Sequence, residues 1–100
     1  MTEYRLVAEP RADLDVAATF DWYEEEQAGL GREFLDELRA TYDRIAGAPL
    51  AYRDLRSGIR RALLRRFPYA VYFAIQGVVI VVLAVLHARR DPTEWQRRRG

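Results

Sequence analysis

Among its 100 residues the sequence has no cysteine, no lysine and a single histidine, His87. Without cysteine there is no disulfide framework and no thiolate metal site, which suits a reducing compartment and makes a cytoplasmic location the expectation. Without lysine every basic side chain is arginine, and one histidine alone is left to carry a proton near neutral pH. The start, Met1-Thr2-Glu3, reads as the approach to a strand and not as an apolar signal segment. No Gly-rich phosphate loop, zinc pattern or Ser/His/Asp constellation occurs, and the acidic run Glu24 to Glu26 lacks the spacing of a metal site, so neither cofactor nor metal is expected.

What is present is ordinary globular composition, 50% hydrophobic and 31% charged, at a length that suits one domain spanning 1–100. The net charge of +1 conceals a division. Residues 1–50 carry 5 Arg against 12 Asp and Glu, or −7, and residues 51–100 carry 11 Arg against 3, or +8. Either the two halves neutralise each other across the fold, or the basic half meets an acidic or nucleic-acid partner.

Hydrophobic periodicity orders the chain. Tyr4, Leu6 and Ala8 alternate with Arg5, Val7 and Glu9, as in a half-buried strand. Pro10 suits the first turn of a helix, where a missing N–H costs nothing, and Ala12, Val16, Thr19, Phe20 and Tyr23 form its core stripe. "AGLG" breaks that helix at Gly29 and Gly31. A second helix follows with Phe34, Leu35, Leu38, Tyr42 and Ile45 inward, ending at Gly47 and Pro49, so the two make an antiparallel hairpin. "APLAYRDLRSG" reads as a loop. "IRRALLRR" reads as a strand at an edge or beside a charged partner, with Arg61, Leu63, Arg65 and Phe67 on one face and Arg60, Ala62, Leu64 and Arg66 on the other. The apolar run Tyr69 to Leu86 approaches membrane-span length, but Gln76-Gly77 at its centre and its Val, Ile, Tyr and Phe content favour two strands around a turn, 69–75 and 78–86. No membrane association is expected. The second strand, apolar throughout, is buried on both faces and central in the sheet. Asp91 as cap and Pro92 as first residue open a short terminal helix containing Trp95. The expected fold is α+β: an N-terminal strand, a helical hairpin packed on a mostly antiparallel sheet of about four strands, and a short C-terminal helix.

Several pieces in this order carry a resemblance: "ADLDV" into "DWYEEE", "GLGREFLDEL", Pro49, "IRRALLRRFPYAVYF" and "VLAVLHARRDPTEWQRR". Together the chain resembles the RelE/ParE superfamily of bacterial type II toxin–antitoxin toxins. The resemblance implies a small growth-inhibiting, plasmid-stabilising toxin held inactive by a cognate antitoxin. RelE-like members cleave mRNA in the ribosome and ParE-like members poison DNA gyrase; "FPYAVYF" followed by "HARRDPTEW" is more similar to the ParE-like branch. The alternatives kept open are a ribosome-dependent mRNA endonuclease and a degenerate toxin that only binds its antitoxin.

The residues themselves bear on this choice. Cleavage by 2′-OH attack needs a base, an acid and cations on the phosphate. His87 is one candidate proton carrier, with Arg61, Arg65, Arg89 and Arg90 as phosphate braces. No second carrier is evident unless folding brings Tyr52, Tyr69 or Tyr72 beside His87. The plainer reading of His87 is a strand-end imidazole bonded to backbone or to Asp91. Arg60, Arg61, Arg65, Arg89, Arg90 and Trp95 are candidate contacts for the target or for an acidic, partly disordered antitoxin segment, although Trp95 packed on the sheet is the simpler reading.

Overall fold

The computed structural model describes residues 2–90 and 92–98. Its elements run β1 (Arg5–Ala8), α1 (Pro10–Glu26), α2 (Leu30–Gly47), a 3-10 turn (Pro49–Ala51), β2 (Asp54–Arg56), β3 (Ile59–Leu63), β4 (Tyr69–Gln76), β5 (Val79–His87) and α3 (Pro92–Gln96). The strands form one five-stranded sheet in the order β1-β5-β4-β3-β2, with β1 parallel to β5 and every other pair antiparallel. The apolar strand β5 lies inside the sheet, as its pattern requires.

The helical hairpin turns through a local device. Gly29 adopts a left-handed conformation (φ 89°) that an L side chain resists. The Glu24 carboxylate reaches across the turn and accepts the Gly31 N–H at 2.8 Å and the Gly29 N–H at 3.2 Å. It thereby satisfies donors that the start of α2 would otherwise leave open, and places negative charge at the helix N-terminus.

The sheet separates two apolar layers. On the helix side, Ala12, Tyr23, Phe34, Leu38 and Ile45 pack on Ala62, Val71, Phe73, Ile80, Val82 and Val85, with Leu64 and Phe67 closing one end. On the other side Ile59, Ala70, Tyr72, Ala74, Leu83, Ala84 and Leu86 gather under Trp95. A bulge between Tyr72 and Phe73 of β4, paired with Ala84 and Val82, leaves Leu83 as the extra residue of β5. Leu83 and Ala84 therefore both face the second layer, and alternation resumes with Val85 on the helix side.

Three expectations are corrected. The sheet has five strands instead of about four, because part of the stretch read as loop forms β2. Ser57 (φ 53°) and Gly58 (φ 82°) are both left-handed, which closes β2 onto β3 with the two-residue turn whose twist matches a hairpin. The strand over "IRRALLRR" is not an edge, because β2 pairs along its outer side; it ends at Leu63, and Leu64 and Phe67 turn into the helix-side core, so Arg65 and Arg66 lie on a loop. The β4–β5 turn is Gly77-Val78, one residue beyond the expected Gln76-Gly77, with the positive φ (62°) at Gly77. The Tyr69–Leu86 run is thus a β-hairpin, and no helix among the described residues is long and apolar enough to cross a membrane. α3 starts at Pro92; the expected cap, Asp91, lies outside the described residues.

Candidate functional site

The end of β5 builds the candidate site. His87 is the last residue of the strand and pairs with Tyr69, the first of β4, with ring centroids 5.4 Å apart in an edge-on arrangement. Of the three candidate tyrosines, folding brings Tyr69 to His87. Tyr52 instead meets Phe73, and Tyr72 stacks flat on Trp95 at 5.1 Å in the opposite layer. Tyr69 also touches Tyr23 and Phe34, so it joins the aromatic end of the helix-side core to the rim of the sheet. The Tyr23 hydroxyl in that group is held above the ordinary tyrosine range by burial and by neighbouring Tyr69.

"ARR" turns sharply, as its place between strand and helix demands. The Arg90 N–H donates to the His87 carbonyl at 2.9 Å, closing the turn. The Arg89 N–H donates to His87 Nδ1 at 3.1 Å. An Nδ1 that accepts a hydrogen bond leaves the ring proton on Nε2. The backbone partner foreseen for His87 is therefore present, whereas Asp91 lies outside the described residues. The Ala88 N–H donates to the Pro68 carbonyl at 2.8 Å and stitches this turn to the 64–68 loop. Four arginines, Arg65, Arg66, Arg89 and Arg90, consequently share one rim of the sheet around His87 and Tyr69. A pocket of about 100 Å³ beneath it is lined by Asp15, Thr19, Tyr69, Val85 and Arg90 among others.

The arginines differ in what engages them. Arg66 pairs with Glu33 at 2.6 Å and lies over the Phe67 ring, and the Arg65 N–H donates to Glu37 at 3.1 Å, so α2 pins the loop. Arg90 pairs with Glu94 at 3.2 Å. All these contacts are solvent-exposed and contribute about 0–1 kcal/mol each. Arg60 faces the helix side, where its guanidinium donates to the Tyr52 carbonyl. Arg61 faces the opposite layer, across from Tyr72, beside half-exposed Leu63. The guanidinium groups of Arg61, Arg65 and Arg89 make no ion pair among the described residues. Trp95, only 6% exposed, is a packing residue here and not a free contact.

Sequence reasoning missed Arg98. Its guanidinium grips Asp15 of α1 with two bonds, at 3.0 and 3.2 Å, and also donates to the Leu83 carbonyl at 3.1 Å. The same carboxylate accepts the Val85 N–H at 3.0 Å. Pairing with β1 ends at Val82, so these two side chains occupy the edge of β5 that β1 leaves open. An Asp on a helix's half-buried flank and an Arg near a chain end carry no periodic signal that would join them.

The ParE toxin family of the parDE type II toxin–antitoxin system matches residues 6–92. The chain belongs to this ParE toxin family. No curated protein sequence matches it significantly. Among solved structures, the chromosomal ParDE toxin–antitoxin system from P. aeruginosa superposes with a TM-score of 0.77 at 17% identity, over 85% of this chain and 96% of that one. The toxin RelE of E. coli, an arginine double mutant in the free state, gives 0.60 at 15% identity over 97% and 94%. The RelBE2 toxin–antitoxin complex from Mycobacterium tuberculosis gives 0.57 at 17% over 86% and 99%. At such identities the likeness establishes the shared RelE/ParE fold, and the ParE family match establishes the branch.

Proposed function

We propose that this toxin arrests growth by binding DNA gyrase through the basic rim around His87, and that a cognate antitoxin neutralises it. One observation supports the choice of gyrase over mRNA cleavage: Arg61 lies apart from the rim, and His87 is already engaged there by backbone. His87 spends Nδ1 on the Arg89 backbone, while Arg61 lies on the opposite face of the sheet. A cleavage site would need base, acid and phosphate clamp converging on one phosphate. A rim of arginines, two of them without ion pairs among the described residues, suits recognition of an acidic protein surface without chemistry.

The second reading, a ribosome-dependent mRNA endonuclease, draws on Tyr69, whose ring edge lies beside the imidazole and supplies the missing proton carrier. Purified components separate the two. The expected result is loss of gyrase supercoiling with ribosome-bound mRNA intact. His87→Gln should retain growth inhibition, and Arg89→Ala with Arg90→Ala should weaken it about tenfold, the equivalent of roughly 1.4 kcal/mol at the interface. Cleaved mRNA, together with a folded His87→Gln protein that is no longer toxic, would establish the endonuclease instead.

The antitoxin segment is expected to be acidic, partly apolar and disordered until bound. The toxin–antitoxin neighbours from P. aeruginosa and M. tuberculosis support an antitoxin partner, and the +8 charge of the second half supports its acidic character. Affinity measured against salt for Arg61→Ala and Arg65→Ala tests the contact; unchanged affinity and slope in both would exclude these arginines.

A further inference from the structure

α1 presents to solvent a stripe that no element of the fold covers. Ala12, Thr19 and Tyr23 face the core, and the flank bearing Phe20 and Glu24 meets α2 at Gly31. On the remaining side Leu14 is 69% and Trp22 53% exposed, and Arg11, Ala18 and Glu25 are exposed with them. At 100° per residue these five fall within about 80° of arc. Their spacing is 3, 4, 4, 3, identical in both directions along the helix. The chemistry is complementary about the same centre. Reversed against itself, the stripe sets Arg11 opposite Glu25, Leu14 opposite Trp22 and Ala18 opposite Ala18. Neither Arg11 nor Glu25 has an ion-pair partner among the described residues. Asp21 falls opposite position 15, where the carboxylate is already neutralised by Arg98.

We infer that this stripe is an antiparallel two-fold interface through which two copies of the chain associate. A two-fold contact requires one patch to complement itself, and a palindromic apolar stripe with opposite charges at its ends meets that requirement. Small Ala18 at the crossing point lets the helices approach closely, so that each Trp22 ring covers the Leu14 side chain of the second copy. The contact involves one helix from each copy, which makes it a small, weak interface dissociating at roughly micromolar concentrations. The contact borders the pocket beneath the His87 rim, since Ala18 lines that pocket together with Tyr69 and Arg90, and it does not depend on which target the toxin acts upon.

Sedimentation velocity on the full-length chain, from roughly 1 to 500 μM to bracket a weak interface, tests this together with charge exchange. The wild type should pass reversibly from monomer to dimer. Arg11→Glu alone and Glu25→Arg alone should each remain monomeric, because each sets like charges face to face at both ends. An equimolar mixture of those two variants should dimerise, since every end pair is then opposite in sign, and Trp22→Ala should weaken the wild-type dimer at least tenfold. A wild type monomeric throughout, or single charge variants that dimerise as it does, overturns the inference. So does a monomeric wild type whose Trp22→Ala variant loses antitoxin binding, which would give the face to the antitoxin.

Discussion

Arg98→Ala removes the side chain that binds the C-terminal segment to α1 and to the open edge of β5. Three hydrogen bonds are lost: two to Asp15 and one to the Leu83 carbonyl. Arg98 and Asp15 are 8% and 14% exposed, so the carboxylate left behind is largely out of water with only the Val85 N–H to stabilise it. Breaking a buried ion pair from one side costs about 3–5 kcal/mol, and the residual exposure places this case near 3. For a domain of this size that corresponds to roughly 12–24 °C in melting temperature. Asp15→Ala should cost a similar amount, because it also orphans the Val85 N–H. The double variant should cost about 4 kcal/mol and not 6, as the second change no longer leaves a charge unpaired. Urea unfolding in a Trp22→Phe background gives the measurement, with Trp95, stacked on Tyr72, reporting whether α3 stays docked. A loss below about 1 kcal/mol for either single variant, or strict additivity in the double, would mean that the pair behaves as an exposed one and that the argument from burial is wrong.

Two further changes probe the helices. A Cβ at Gly31 would lie 2.7 Å from the Glu24 side chain and 2.8 Å from the Phe20 carbonyl, whereas one at Gly47 meets nothing within 4 Å. Thermal melts should therefore show Gly31→Ala destabilising by about 1–3 kcal/mol and Gly47→Ala neutral or slightly stabilising; equal effects would remove the close approach as the reason for Gly31. Tyr42 is pushed up to about 12 by burial and by Asp13 and Asp15. Its folded value exceeds its unfolded value near 10, so its contribution is complete below pH 10 and is lost as pH rises through 12, at most about 3 kcal/mol in all. Tyr42→Phe should flatten urea stability across that window, and an unchanged slope would assign the alkaline loss to other groups.

Where apolar periodicity acts, the fold was legible. Phe34, Leu38 and Ile45 face the core because a helix returns every 3.6 residues, and Val79–His87 lies inside the sheet because both its faces are apolar. Legibility failed where backbone conformation decides. Ser57-Gly58 closes a hairpin through two left-handed residues, but Ser-Gly is a weaker signal than Asn-Gly and a three-residue strand has hardly any period to show. "IRRALLRR" alternates well enough to continue as a strand, but burying Leu64 and Phe67 together required the chain to leave the sheet. At the site, the turn over "ARR" followed from the distance between strand and helix. The choice of Tyr69 as the neighbour of His87 depended on the β4–β5 register, which the bulge at Leu83 shifts by one residue.

The charge division can now be followed side chain by side chain. If the two halves neutralised each other, most arginines of residues 51–100 would meet carboxylates of residues 1–50. Among the described residues only Arg66 with Glu33 and Arg98 with Asp15 do so through side chains, and Arg90 pairs within its own half. The first of these is exposed and weak; the second closes a strand edge. The guanidinium groups of Arg61, Arg65 and Arg89 make no ion pair among the described residues, and the last two lie on the rim where the 64–68 loop meets the turn after β5. Internal compensation therefore accounts for a small part of the +8, and part of the surplus lies on this rim. Like charges held together raise the free energy of the isolated chain, and an acidic partner relieves it. That repulsion orders the expected salt response: added salt should stabilise the free toxin against unfolding while weakening its complex with an acidic antitoxin.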